Sequence, residues 1–267
     1  MIDRRTLVLS AAALPLAGCM TRAGGRETLS VATFNIWHDA GDWRARLPLI
    51  VGALAKSDCD VIALQEVLED AGKGLPNQAE TIAAMLSGYT VRFASTNPPG
   101  ATRRYGNALL TRVPIVETAE RKLEPLSDYR TALRIRLGGR IASLDIVCTH
   151  LAHEAHAGPV RARQLQDLMA WLPQDGVPTV IMGDFNAPLT DAGLRPLDPR
   201  FTSAALPPSV TTTLNTSRGH EPRIIDHIFA QRDALVIGQA ERFGDIPTAN
   251  EYPSDHFGVR AVLKRPH

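Results

Sequence analysis

The sequence predicts one α/β (α+β) domain of mixed sheets, with sheet packed on sheet and helices outside. Three observations predict it. First, apolar runs rich in β-branched residues recur at Leu29–Thr33, Val61–Leu64, Ala108–Thr111, Ile141–Thr149, Thr179–Met182, Ile224–Ala230 and Val259–Leu263. Second, only two stretches carry a clear helical period. Leu47, Ile50, Val51 and Leu54 fall at i, i+3, i+4 and i+7, as do Leu165, Leu168, Met169 and Leu172. That is too few helices for a regular βα repeat. Third, Gly138-Gly139 between Ile135-Arg136-Leu137 and Ile141-Ala142-Ser143 reads as a hairpin turn, so part of the pairing is antiparallel.

Taken in order, the chain opens on an address. Arg4-Arg5 precedes an apolar stretch from Leu7 to Leu16, too short for an ordinary membrane-spanning helix, as in a bacterial secretory signal. Leu16-Ala17-Gly18-Cys19 resembles the lipobox of bacterial lipoproteins, which implies lipidation at Cys19. Arg4-Arg5 also allows twin-arginine export, although the rest of that motif matches poorly. The expected organisation is a lipoprotein-type signal at 1–18, a tether at 19–28 and one domain over 29–267. The expected location is the periplasm or cell envelope, with a membrane as partner through the lipid. Ile82, Met85 and Leu86 give a weaker helical set, and the segments 68–78 and 202–223 read as loops.

Composition narrows the function classes. The 267 residues are 44% hydrophobic and 21% charged, which excludes disorder, a collagen repeat and a coiled coil. Lys+Arg 29 against Asp+Glu 28 is a balanced surface with no block that announces nucleic acid. Removing residues 1–18 takes away Arg4, Arg5 and Asp3, so the remainder has zero net charge. Three cysteines form no zinc spacing, and Cys59 and Cys148 beside apolar runs read as buried free thiols. A monomer is expected.

Polar residues cluster where the apolar runs stop. Val31–Phe34 ends at Asn35, Val61–Leu64 at Gln65-Glu66, and Leu144–Cys148 at Thr149-His150. Thr179–Met182 ends at Gly183-Asp184-Phe185-Asn186, Ile224-Ile225 runs into Asp226-His227, and Ser254-Asp255-His256 precedes the last run. One such residue is ordinarily a turn or cap residue. Six ends carrying carboxylate, amide or imidazole instead describe side chains presented to one pocket by rigid elements. Asn, Glu and Asp are hard donors that suit Mg2+, Mn2+ or Ca2+. The chain has no zincin helix, no serine elbow and no Walker or dinucleotide loop. Carboxylates with histidines around a hard cation suit metal-assisted phosphoester hydrolysis.

These motifs, with Thr33-Phe34-Asn35, Leu64-Gln65-Glu66, Tyr105-Gly106-Asn107-Ala108, Thr149-His150-Leu151, Ile225-Asp226-His227 and Ser254-Asp255-His256-Phe257, follow one another in a family's order. The chain resembles the endonuclease/exonuclease/phosphatase superfamily of DNase I, exonuclease III and neutral sphingomyelinase, from about Leu29 to Leu263. The resemblance implies a four-layer α/β/β/α sandwich of two mixed sheets. It implies metal ligands Glu66, Asn35 and Asp255, and a catalytic set of His150, Asp184, Asn186, Asp226 and His256. Asp226 would hold His256, and either Asp184 or His256 would be the general base. Asn107 would contact substrate. Arg130, outside these motifs, either faces the substrate or pairs on the surface.

Other polar residues read as ordinary. Ala152 stands where similar sequences often carry Asp, which leaves the loop bearing His153 and His156 unassigned. His227 adjoins Asp226 and faces the other way on a strand, so it packs. Arg103-Arg104 could attract one phosphate but not track a duplex. The expected substrate is a small or lipid-linked phosphoester. An exported nuclease is the alternative, disfavoured by Glu69-Asp70 near Glu66, and a non-catalytic binding lipoprotein comes third.

Overall fold

Strand residues that alternate in burial separate the two faces of a sheet. In β1 (Thr28–Asn35), Val31 belongs to one apolar cluster while Ala32 and Phe34 belong to another. The computed structural model describes residues 28–138 and 143–266. The expected signal, Cys19, all of the tether but Thr28, and Gly139 of the hairpin turn lie outside the described residues.

Among the described residues, β1 is followed by α1 (Trp43–Ser57), β2 (Val61–Asp70), α2 (Gln78–Leu86), β3 (Thr90–Ser95) and β4 (Arg103–Thr111). Next come β5 (Ile115–Lys122), β6 (Thr131–Leu137), β7 (Leu144–His150), α3 (Gly158–Trp171) and β8 (Thr179–Asp184). The chain closes with β9 (Phe201–Ser203), β10 (Asp226–Gln231), β11 (Val236–Ile237), β12 (Glu241–Phe243) and β13 (Gly258–Lys264). One sheet has seven strands, in the order β11-β13-β1-β2-β4-β3 with β12 also on β13; the other has six, in the order β5-β6-β7-β8-β10-β9. Both are mixed. β1 pairs parallel to β2 and antiparallel to β13, and β8 pairs parallel to β7 and antiparallel to β10.

The sheets pack face to face through Val31, Val61, Ala63 and Leu109 on one side and Leu133, Ile146, Val180 and Met182 on the other. Helices α1 and α2 cover the outer face of the seven-stranded sheet through Ile50, Leu54, Ala79 and Ile82. Helix α3 covers the six-stranded sheet through Leu165 and Leu168. The expected four layers are present, and each fully buried Leu or Ile adds about 1.5–3 kcal/mol to holding them together. Cys59 and Cys148 are free and buried as expected, and burial lifts their thiols to about 11 and about 12.

Four elements depart from the sequence reading. β2 does not stop at Gln65-Glu66 but runs to Asp70, through a register shift between Leu64 and Val67. Glu66 sits in that bulge at φ 59°, so the strand bends there and re-aims one carboxylate without ending. β3 and β5 lack apolar runs because they are edge strands, β5 being exposed along most of its length. β10 begins at Asp226 rather than Ile224, and the amides of Ile225 and Asp226 both donate to Thr213 Oγ1.

Candidate active site

The strand register builds one half of the site. Asp184, the last residue of β8, lies opposite His150 at the end of β7 and opposite Asp226 at the start of β10. Residues opposite one another on adjacent strands share a face, so these three side chains form one row. The row depends on close approach at the preceding position. A Cβ on Gly183 would stand 1.9 Å from the Thr149 carbonyl oxygen, so only glycine lets β7 and β8 meet there. The other half comes from the facing sheet, where Asn35 ends β1 beside Gln65 and Glu66 follows.

The halves meet at Asp184. Its Oδ2 accepts from Asn35 Nδ2 at 3.1 Å and lies 3.5 Å from His150 Nε2 and 3.7 Å from His256 Nε2. Its Oδ1 accepts from the Asn186 amide at 2.9 Å. The other ring nitrogen of His256, Nδ1, meets Asp226 Oδ2 at 3.0 Å. Asp184, Asp226 and His256 thus form a buried cluster with ligand atoms within 4.8 Å of one another. Ser254 closes the arrangement, donating its hydroxyl to the Asn35 carbonyl at 2.7 Å and accepting from the His256 amide at 3.2 Å.

Charge is balanced unevenly across this centre. Burial alone would lower His256, but Asp226 and Asp184 outweigh it and hold the imidazole well above 6.5. Burial raises Asp184 to about 6 despite the neighbouring His256. His150 is pushed well below 6.5 by burial and by the nearby cations Arg130 and His256, so it is neutral. Glu66 is raised by burial and by Asp255, against the opposing pull of His256 and the Asn35 hydrogen bond. Half-buried Glu66 and buried Asp255 therefore press on one another.

That pair is where a hard divalent cation fits, since Glu66 and Asp255 offer oxygen donors and need positive charge. The Asp184–Asp226–His256 cluster fits it less well, because both ring nitrogens already face carboxylates and the imidazolium supplies the cation. Asn35 takes a different part from the expected one. Its Oδ1 accepts from the Trp37 amide at 3.0 Å, so the amide nitrogen faces inward and bridges Glu66, at 3.2 Å, to Asp184. It therefore holds the two carboxylates in place as a donor rather than offering an oxygen to the ion.

A buried arginine fixes the loop that follows. Trp37 and His38 both have positive φ, at 58° and 30°, a conformation that persists only where its surroundings impose it. Arg46 on α1, fully buried, donates to the carbonyls of Ile36, Trp37, His38, Ala40 and Pro253. It ties the loop after β1 to the segment carrying Asp255. Behind His150, Arg161 donates to the Ala152 and Glu154 carbonyls and to Asp191, while Gln164 accepts the Ala152 amide. The loop is held by its backbone, with no Asp needed at 152.

The expected residues Glu66, His150, Asp184, Asn186, Asp255 and His256 line one cavity of about 600 Å3, and Arg130 lines it too. Asp226 stands behind His256. Asn107 does not reach the cavity. Its side-chain amide, on a 2% exposed residue, bonds the Thr131 carbonyl at 2.9 Å and joins the two sheets, which corrects the expected substrate contact. His227 packs as expected, with Nε2 on the Ala187 carbonyl and its ring among Phe185 and Phe229.

Three residues escaped the sequence reading. His38 Nε2 lies 4.0 Å from Glu66 and His220 Nε2 lies 3.1 Å from Asp255, while the half-buried Tyr105 lines the same cavity, its phenol driven far up by desolvation and by the charge of Glu66. His38 and His220 sit in irregular loops, where no periodic pattern signals them; Tyr105 was visible only as a neighbour of Asn107.

Comparison with known proteins agrees with this geometry. The sequence profile of the Endonuclease/Exonuclease/phosphatase family matches residues 32–256. The fold is similar to the human Nocturnin catalytic domain with bound sulfate, at TM-score 0.72 and 21% identity, covering 90% of this chain and 94% of that one. It is similar to a mannosyl-6-phosphatase of Bacteroides thetaiotaomicron, at TM-score 0.70 and 19% identity, covering 88% and 99%. It also resembles a humanized D. rerio TDP2, at TM-score 0.71 and 16% identity, covering 90% and 100%. No curated protein matches in sequence. With both sheets, the strand-end row and the family profile in agreement over nearly the whole described chain, this protein belongs to the Endonuclease/Exonuclease/phosphatase family.

Proposed function

We propose that this chain is an exported, lipid-anchored, divalent-metal-dependent phosphoesterase that hydrolyses a small or lipid-linked phosphoester by in-line attack of water at phosphorus. The observation that carries the reading is Asp184 at the meeting point of the two sheets, with His256 and His150 on one side and the Glu66–Asp255 pair on the other. The cation held by Glu66 and Asp255 would supply neutralisation of charge gathering on the phosphate oxygens. Mg2+ suits the oxygen donors, and Mn2+ or Ca2+ would be accepted by the same set.

Asp184 is the general base in this reading. Both nitrogens of His256 face carboxylates, so the protonated ring has no lone pair for a water proton and instead donates toward the phosphate region. Asp226 keeps that ring charged and oriented. Neutral His150 and the side chain of Asn186, anchored through the Leu151 carbonyl, orient phosphate oxygens. Arg130 adds a charge at the wall of the cavity. A fold neighbour named as a mannosyl-6-phosphatase is in keeping with a small phosphomonoester.

The test is hydrolysis of a phosphomonoester dye, a phosphodiester dye, mixed phospholipids and supercoiled plasmid with Mg2+, Mn2+ or EDTA. Metal-dependent cleavage of a dye or lipid, with plasmid intact, is the expected result. Plasmid cleavage that collapses between low and moderate salt would make the protein a nuclease instead. For the anchor, Cys19→Ser should move the protein from membrane to soluble fraction; an unchanged distribution would remove the lipid from the proposal.

A further inference from the structure

Many arginines of this chain are committed to a carboxylate partner. Arg104 pairs with Glu69, Arg112 with Asp58, Arg121 with Asp167, Arg134 and Arg136 with Asp145, and Arg161 with Asp191. Arg218, Arg242 and Arg260 pair with Glu251, Asp245 and Glu241. Arg44, Arg103, Arg195, Arg200 and Arg223 have no carboxylate or carbonyl partner among the described residues, and of these five Arg103 and Arg223 line the cavity that contains Asp184. Arg103 comes from β4 and is steadied only by the Tyr105 ring, 5.9 Å from its guanidinium carbon. Arg223 comes from the loop before β10, its backbone pinned to Thr212 Oγ1 through both N–H and carbonyl. Arg130 joins them from the turn before β6, with Nη2 3.0 Å from His153 Nδ1 and Nε 3.5 Å from Asp128 Oδ2.

Two unpaired guanidinium groups from separate elements are more than one scissile phosphate needs, because that phosphate already has His256, His150, Asn186 and a cation beside Glu66. We propose that Arg103 and Arg223, assisted by Arg130, form a second anion subsite, so the substrate carries another anionic group besides the phosphate that is cleaved. Guanidinium forks match a phosphate or a carboxylate in two parallel hydrogen bonds. A cavity of about 600 Å3 holds a molecule of sugar-phosphate or nucleotide size. A polynucleotide would need a track of cations, and the rim offers only these few. The inference rests on the phosphoesterase reading, and it narrows the substrate class to small phosphoesters with two anionic groups.

The experiment measures binding apart from turnover. The Asp184→Asn protein, at fixed free Mg2+, is titrated with fructose 6-phosphate, fructose 1,6-bisphosphate and 6-phosphogluconate, with and without Arg103→Gln plus Arg223→Gln. The expected result is about tenfold tighter binding of at least one doubly anionic ligand than of the monophosphate. The paired substitutions should bring that ratio to about one, whereas Arg200→Gln, outside the cavity lining, leaves it unchanged. The bisphosphate and the phosphogluconate separate phosphate from carboxylate as the second group. Equal binding of all three ligands, or no binding of any, overturns the proposal. So does a ratio that survives the paired substitutions, or a single-stranded oligonucleotide that binds tighter than both doubly anionic ligands. A tenfold ratio without hydrolysis of any ester would uphold the subsite while sinking the phosphoesterase reading. Hydrolysis without the ratio would do the reverse.

Discussion

The two halves of the site solve the same electrostatic problem differently. On the six-stranded sheet, Asp184 and Asp226 enclose His256, and the imidazolium balances them within the fold. On the side of the seven-stranded sheet, Glu66 and Asp255 face the same cavity, and burial together with their mutual repulsion raises Glu66. The first half is complete as folded. The second leaves Glu66 raised by burial and by Asp255, and it is there that the proposed cation would bind.

The sharpest test of this contrast is activity. Asp184→Asn should lower turnover of whichever ester the wild type cleaves by about 10^2–10^4-fold, with an unchanged circular dichroism spectrum. Turnover within threefold of wild type would mean that the meeting point of the halves is not the reacting centre.

Next in size is the support beneath the anionic half. Arg46→Met strands the carbonyls of Ile36, Trp37, His38, Ala40 and Pro253, and should cost about 3 kcal/mol or more in urea unfolding. A loss below about 1 kcal/mol would show that water replaces the guanidinium and that the loop holds itself.

A comparable effect of pH belongs to the balanced sheet but not to its chemistry. Burial lowers His227 to about 4 from 6.5, so it is neutral in the fold. Between those values the unfolded chain binds the extra proton, and stability must fall as pH drops from 6.5 toward 4, by about 3 kcal/mol in all. His227→Gln, which keeps a donor for the Ala187 carbonyl, should remove most of that slope. An unaltered slope would assign acid sensitivity to the site itself.

The smallest effect is the most diagnostic. In metal-free protein, Glu66→Gln should raise the melting temperature by about 2–4 °C, while Asp226→Asn should lower it. Added Mg2+ should stabilise the wild type and do nothing for Glu66→Gln. If both substitutions destabilise equally, the halves are alike and the cation belongs elsewhere.

Much of this was legible in the linear chain. An apolar, β-branched run ending in Asn35, His150 or Asp184 names both a strand and the residue at its tip, because strand propensity and side-chain direction are local. Edge strands such as β5 were not legible, since they bury too little to leave an apolar run. Nor was the use of Asn107, whose amide finds Thr131 only across two packed sheets.

Residue types and their order along the chain determined the fold class, the family and the central acidic, amide and imidazole side chains of the cavity. Only the tertiary structure decided which of those side chains meet. Asn35 reaches Asp184 across 149 positions, His38 owes its place near Glu66 to Arg46, and Arg223 and Arg103 line one cavity. Local pattern reports which way a side chain points; what it points at is set by the packing of distant strands, which no local period encodes.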